Sequence, residues 1–329
     1  MNILDFIERA SGNPVIVDSI YKANTVLRSH FNIACSISGG KDSDIMLDLI
    51  HKLDEDGNVR YIWFDTGLEY QATKGHLDYL ELMYDITIER IKAKKPIPTA
   101  CKQYGQPFLT KNISEMIYRL QSHDFKWKDK PYEELIQEYP NCKVALMWWC
   151  NKHPNAKNNP VSMFNINYKK FLKEFLIDNP PWFKISNKCC SYAKKKVSES
   201  FIADNNIDLM ITGIRRAEGG ARACAYKNCF TENQSGCDFY RPLFWYLPDD
   251  EKDYDAMFNI SHSECYEKWG MKRTGCVGCP FSQTLESELS LLLQHEPKLY
   301  KAATSVFADS YKYTRMYRDF VKQMKEKEG

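Results

Sequence analysis

The chain has 329 residues, 43% hydrophobic and 27% charged, enough to bury one large core or two small ones. A net charge of +2 excludes a global field that would draw it onto nucleic acid or an anionic membrane, so anion binding must be local. No apolar run is long enough to span a bilayer, and residues 1–9 are mixed and acidic rather than signal-like. The expectation is a cytoplasmic protein without a membrane partner. In that compartment its twelve cysteines are read as thiols or metal ligands rather than disulfides.

The first elements alternate. Residues 15–29 read as a helix, 33–37 as a buried strand, 43–52 as a helix, 59–64 as a strand, 71–83 as a helix and 86–91 as a third strand. This alternation predicts an α/β fold: a Rossmann-like parallel sheet with helices on both faces, its ligands at the carboxyl ends of the strands. Residues 95–187 break the pattern with prolines and aromatics and read as a mostly helical insertion, with short helices at 112–122, 131–138 and 167–178. Alternation resumes with a helix at 192–204 and a strand at 209–212, and two helices, 284–295 and 297–325, close the chain. The expected division is a nucleotide-binding domain of residues 1–94 and 188–283 that includes a cysteine cluster, the insertion 95–187, and C-terminal helices 284–329. The last helix carries Tyr311, Lys312, Tyr313, Arg315, Tyr317, Arg318, Lys322 and Lys325. It reads as a solvated face, with nucleic-acid contact as the alternative.

Between the first strand and its helix lies Ser38-Gly39-Gly40-Lys41-Asp42-Ser43. A glycine turn lets backbone N–H groups approach an anion, the helix N-terminus adds a partial positive charge and Lys41 a full one. The spacing is not that of a Walker loop, whose two glycines stand four residues apart before the Lys. Asp65-Thr66-Gly67 ends the second strand, and Thr212-Gly213-Ile214-Arg215-Arg216 leaves the fourth, with Arg222 beyond. Paired arginines there suit a bidentate grip on an anion.

Cys189-Cys190 and Cys276-Val277-Gly278-Cys279 form two close pairs, and Cys265 is a substitute for one member. Four thiolates so arranged suit a [4Fe–4S] cluster, with zinc as the alternative; adjacent cysteines serve two irons more easily than one tetrahedral ion. Lys188, Lys194, Lys195 and Lys196 flank the first pair and would offset thiolate charge. Cys35, Cys142 and Cys150 lie in apolar or aromatic stretches and read as small buried hydrophobes.

The run Ser38–Ser43 resembles the PP-loop of the ATP pyrophosphatase and sulfonucleotide reductase superfamily, of HUP-type fold. Thr212–Arg216 resembles the segment that closes over the nucleotide in adenylyl-sulfate (APS) and phosphoadenylyl-sulfate (PAPS) reductases, and the paired cysteines resemble those of cluster-binding APS reductases. With Lys272–Phe281 and the proline-rich insertion, nearly the whole chain resembles the PAPS-reductase family. The resemblance implies an adenine nucleotide, ATP or APS/PAPS, held by Ser38, Gly39, Gly40, Lys41, Asp42, Ser43, Asp65, Thr66, Gly67, Gly213, Arg215 and Arg216. It gives Lys41, Asp42 and Arg216 to catalysis and lets Asp42 or Asp65 hold Mg²⁺. It also implies a thiol partner of thioredoxin type or another sulfur carrier. One departure stands out: the reductases attack with a cysteine on a mobile C-terminal tail, whereas residues 280–329 contain none. Cys224, Cys229 and Cys237 are the candidate replacements, with structural thiols as their other reading. Anaerobically prepared protein is expected to be brown from iron–thiolate absorption; a colourless, zinc-containing protein would overturn the cluster.

Overall fold

The computed structural model describes residues 2–156, 159, 162–219, 225–233 and 236–328. The chain forms two compact units, Met1–Lys94 with Lys194–Gly275, and Lys95–Ala193 with Cys276–Gly329.

The first unit is the α/β fold. Strands β1 (Ile33–Ser36), β2 (Val59–Asp65), β3 (Ile88–Lys92), β4 (Leu209–Thr212), β5 (Phe230–Thr231) and β6 (Asp238–Tyr240) make one sheet in the order β3-β2-β1-β4-β6-β5. All neighbours are parallel except β5, which runs antiparallel to β6. In register, Cys35 of β1 faces Tyr61 of β2 and Ile211 of β4. Alternate residues serve opposite faces, as the pleat requires. Ile33, Cys35, Tyr61, Trp63, Leu209 and Ile211 enter a core with helices Ile3–Ala10, Pro14–Arg28, Lys41–Leu53, Gln71–Tyr84 and Pro248–Phe258. Ala34, Ile62 and Met210 enter a smaller core on the other face with Phe201 of helix Lys196–Asp204. Burial pushes the Cys35 thiol far above the ordinary range, as befits a core residue.

β1 is the strand from which the order runs both ways, so its carboxyl end is the switch point where an open parallel sheet leaves a crevice. Helix Lys41–Leu53, which starts there, is held along its length by Asp48. This buried carboxylate accepts from Tyr254 Oη at 2.7 Å and Tyr84 Oη at 3.0 Å and pairs with Lys52.

The second unit is helical. Its core gathers Phe108, Ile117, Leu120, Leu146, Trp148, Trp149, Phe175 and Leu176, and it includes Tyr313 and Tyr317 from helix Ala308–Glu328. The single helix expected over 297–325 is two, Pro297–Val306 and Ala308–Glu328, with Phe307 between them anchored in the interior. The aromatic residues expected on an exposed basic face are instead inside: Tyr311, Tyr313 and Tyr317 are buried. Arg315 and Arg318 pair with Glu286 on the outside. Segments 188–193 and 276–283, which carry the paired cysteines, fall in this helical unit with the insertion and the terminal helices. Among the described residues no helix is long and apolar enough to cross a membrane.

Removing the Asp48 carboxylate strands a half-buried ammonium and two hydroxyls. Asp48→Ala is expected to cost about 3 kcal/mol of stability, read as a lowered urea midpoint; an unchanged midpoint would show that this network is not an anchor.

Candidate functional site

The turn after β1 is built as an anion cradle. Gly39 has φ +66°, and a Cβ there would stand 2.6 Å from Thr73 Cγ2, so only glycine fits. Ser43 braces the turn from within: its Oγ accepts from the N–H groups of Ser38 (3.2 Å) and Gly40 (3.1 Å) and donates to the Gly40 carbonyl (2.9 Å). Gly40 is the N-cap of helix Lys41–Leu53 and offers no side chain to its first amides. Ser43 N–H donates to the Gly40 carbonyl at 2.8 Å, and the N–H groups of Lys41 and Asp42, which come before the first acceptor of the helix, point out of its end. The Lys41 ammonium lies 5.4 Å from the centre of the Tyr266 ring. Tyr266 Oη is in turn fixed by Thr274, through its Oγ1 at 2.6 Å and its N–H at 3.0 Å.

Beneath this turn lies a row of buried ionisable groups. Asp44 Oδ2 stands 2.9 Å from His262 Nδ1 and 3.1 Å from His76 Nε2, and His262 Nε2 lies 3.0 Å from Asp255 Oδ2. Burial works against the charged ring of His262, but its hydrogen bonds to Asp255 and Asp44 outweigh that and push it up to about 9. Beside it, Arg215 Nε is 3.1 Å from Asp42 Oδ2 and also pairs with Glu251. Burial, then the nearby Asp42 carboxylate, push Glu251 up to about 8.

The other strand ends close around the turn. Gly67 N–H donates to Asp65 Oδ1 at 2.8 Å, and Thr66 Oγ1 donates to Glu69. Burial raises the Glu69 carboxyl, against the charge of Lys194. Gly213 packs against the peptide of Asp42; a Cβ there would sit 3.3 Å from it. The two arginines diverge. Arg215 turns to the carboxylates, while the Arg216 guanidinium lies 5.4 Å from the ring centre of Trp245, on a cleft of about 390 Å³. Thus Ser38–Ser43, Asp65, Gly213 and Arg215 belong to one end of the sheet, but the arginines do not form a double clamp. Arg222 and Cys224 lie outside the described residues.

In the helical unit, Cys189 is buried, with the side chains of Cys101, Cys190 and Cys279 near it. The hydrogen bond to Cys101, reinforced by burial, pushes its thiol far above the ordinary range. Among the described residues no three Cys, His, Asp or Glu side chains are placed to hold a metal ion. Cys276 and Cys279 share a turn in which Cys279 N–H donates to the Cys276 carbonyl at 3.2 Å, and Tyr311 Oη donates to Gly278 O. Lys188 lies over the Tyr118 ring and Lys195 pairs with Glu199. Cys265 is fully buried in the sheet unit. Of the candidate replacement nucleophiles, Cys237 is buried and pushed up to about 11 by burial and by Asp238, a structural thiol; Cys229 is half-buried.

Residues 32–149 match the family model described as the phosphoadenosine phosphosulfate reductase domain. That stretch is similar to a PAPS-reductase domain. It holds the turn and Asp65-Thr66-Gly67, and ends before the arginines and the paired cysteines. Among solved structures, a PAPS reductase from Candida auris in a phosphate complex is 14% identical over 77% of this chain and 87% of its own, with a TM-score of 0.41. An NH3-dependent NAD synthetase from Campylobacter jejuni is 13% identical over 95% and 94%, with a TM-score of 0.38. A U34-tRNA thiolase from Methanococcus maripaludis with its [4Fe-4S] cluster is 13% identical over 91% and 78%, with a TM-score of 0.36. No curated protein matches the sequence.

Glu251, His76, His262, Tyr266 and Cys101 are absent from the sequence reading. Glu251 follows Asp249-Asp250 at a helix start, where acids ordinarily serve the dipole. The histidines stand alone in the sequence, and Cys101 belongs to no spaced motif.

Because His262 is raised above its ordinary 6.5 in the fold, its contribution is complete below about pH 6.5 and is lost as pH rises through about 9. Glu251, raised from 4.5, acts in the same direction through about pH 8. The melting temperature is therefore expected to fall from pH 6.5 to 9. His262→Gln should remove about 2 kcal/mol of that dependence, and equal slopes for both proteins would refute the assignment.

Proposed function

We propose that this protein is a PP-loop enzyme of sulfur chemistry that binds an adenine nucleotide at Ser38–Ser43. The observation that carries the reading is the open helix end at Gly40–Lys41, braced by Ser43 and walled by Tyr266 and Thr274. The loop amides and Lys41 take the anionic end of the nucleotide, and Asp65-Thr66-Gly67 and Gly213 border it. With APS or PAPS as substrate, a thiolate attacks the sulfonyl sulfur, the nucleotide phosphate leaves, and sulfite is released by a second thiol. Lys41 steadies the leaving phosphate. Arg215 joins it once freed from Asp42 and Glu251, and Arg216 would have to leave Trp245 to do so. A thioredoxin-type protein or another sulfur carrier supplies reducing thiols.

We extend the proposal to a [4Fe–4S] cluster on the chemistry of its donors alone: soft thiols are the ligands such a cluster takes, but the described side chains are not placed to hold a metal ion as they stand. Cys189, Cys190, Cys276 and Cys279 are its first candidate ligands, and zinc is the alternative occupant. When bound, the cluster would supply a soft, redox-active positive centre.

A second reading is favoured by the adjoining carboxyls of Asp42 and Glu251. Hard oxygens beside a phosphate cradle suit Mg²⁺, and hence ATP, whose pyrophosphate would leave as an acceptor such as a nucleic acid is adenylated before sulfur transfer.

Anaerobic assays separate the two readings. Sulfite from APS or PAPS with a dithiol supports the first, and pyrophosphate from ATP supports the second. Tight nucleotide binding with neither product overturns both and leaves a non-catalytic binding protein. Lys41→Ala is expected to weaken nucleotide affinity by about tenfold or more, about 1.4 kcal/mol, without lowering the melting temperature. Unchanged affinity would remove the loop from the site.

A further inference from the structure

The near-neutral net charge conceals two units of opposite sign. Met1–Lys94 with Lys194–Gly275 carries 22 Lys and Arg against 28 Asp and Glu, whereas Lys95–Ala193 with Cys276–Gly329 carries 23 against 15. The excess of cations therefore belongs to the helical unit. A basic unit beside an acidic one is the charge pattern of a polyanion partner. Part of this charge is neutralised within the unit: Arg119 pairs with Glu115, Lys130 with Glu138, Lys173 with Asp129, and Arg315 with Glu286.

Segment 182–192 gathers cations and rings instead of ion pairs. It is fastened to the helical unit at Gln106, whose N–H donates to Lys184 O at 2.8 Å and whose carbonyl accepts from Ser186 N–H at 2.9 Å. Ile185 and Ser186 are buried, while Trp182, 50% exposed, and Lys184 face water. The Lys312 ammonium lies 5.2 Å from the centre of the Trp182 ring, and that of Lys188 lies 5.1 Å from the centre of Tyr118. The Lys95 ammonium is 4.9 Å from each ring of the Tyr104–Tyr192 stack. Asn187 Nδ2 donates to Lys111 O at 3.1 Å, which sets exposed Lys111 alongside. No ion pair among the described residues engages Lys95, Lys111, Lys184, Lys188 or Lys312. Asp309 lies among them and is occupied by the Trp182 indole N–H at 3.0 Å and the Gln106 amide at 3.3 Å.

A lysine over an exposed ring is weakly held, and its stem is flexible enough to turn to another anion. The ring it leaves is a face on which a base can stack. We propose that segment 182–192 and the lysines around it grip an unpaired stretch of RNA. Ammonium groups interleaved with rings match a strand in which phosphates alternate with bases. A duplex offers its phosphates but keeps its bases stacked, whereas the loops of folded RNA present both. The grip is not the basic terminal helix expected from the sequence, whose tyrosines are buried. As the hold on a sulfur acceptor it rests on the second reading above; as an RNA surface it stands without it.

The test uses the full chain and a fluorescent RNA hairpin with a loop of about ten nucleotides. Anisotropy is read between about 50 and 200 mM salt, beside a blunt RNA duplex and the loop sequence as single-stranded DNA. The hairpin is expected to bind about tenfold or more tighter than either. Trp182→Ala should lose about tenfold in affinity with the salt slope unchanged, and Trp182→Phe should stay within about threefold of wild type. Lys184→Ala with Lys188→Ala should weaken binding and flatten the slope by about 1.4. Lys322→Ala with Lys325→Ala removes the same charge from the far end of helix Ala308–Glu328 and should leave affinity within about twofold. Melting curves show that each variant is folded. Equal losses in the two lysine pairs overturn the location. A hairpin bound no better than the duplex or the DNA overturns the choice of unpaired RNA, and wild-type protein that binds no RNA overturns the proposal whatever its nucleotide does. RNA bound by protein that takes no adenine nucleotide supports the grip and overturns the function proposed above instead.

Discussion

A carboxylate buried between two imidazoles underlies the glycine-turn end of the sheet. Asp44 lies in the first turn of the helix whose amides form the cradle, and it is wholly shielded from water. An isolated charge there would be too costly to keep. His262, held charged by Asp44 and Asp255 together, makes it tolerable, and His76 closes the other side. The interaction spans three distant parts of the sequence: the first turn of the cradle helix, the helix after β2, and the loop after helix Pro248–Phe258. It fixes where the helix begins, and the positions of Lys41 and of the open amides follow from that.

Charge beside the cradle is balanced rather than merely positive. Lys41 and Arg215 would attract an anion, yet Arg215 is already engaged by Asp42 and Glu251. A ligand that draws Arg215 away must leave two neighbouring carboxyls without their counter-ion. Either a proton or a divalent cation must then take its place. The same arrangement therefore makes the protonation of Glu251 and the binding of any anion that recruits Arg215 parts of one equilibrium. Arg216, committed to Trp245, stands apart from it.

The sequence carried the sheet unit well because the signals there are local. Short apolar runs at Ile33–Ser36 and Val59–Asp65, and a glycine turn between strand and helix, survive without knowledge of partners. The helix Ala308–Glu328 shows where local reading fails. Its tyrosines and basic residues share one stretch, and only the helical core decides that Tyr311, Tyr313 and Tyr317 face inward while Arg315 and Arg318 face Glu286. The paired cysteines are legible as spaced motifs, but Cys101 depends on the Gln106 pairing with Lys184 and Ser186 across the insertion. Glu251 and His262 depend on the return of helix Pro248–Phe258 to the cradle helix. Long-range ion pairs between solitary residues have no spacing to give them away.

The Cys276–Cys279 turn is fastened in an uncommon way. Tyr311 Oη donates to the carbonyl of Gly278 in the middle of the turn, and the helix bearing Tyr311 continues into the second core through Tyr313 and Tyr317. Local fraying is ordinarily how short cysteine turns exchange their sulfurs with solvent thiols. Here the turn is tied to a helix anchored in the second core, so loosening the turn also costs a buried hydrogen bond to that helix.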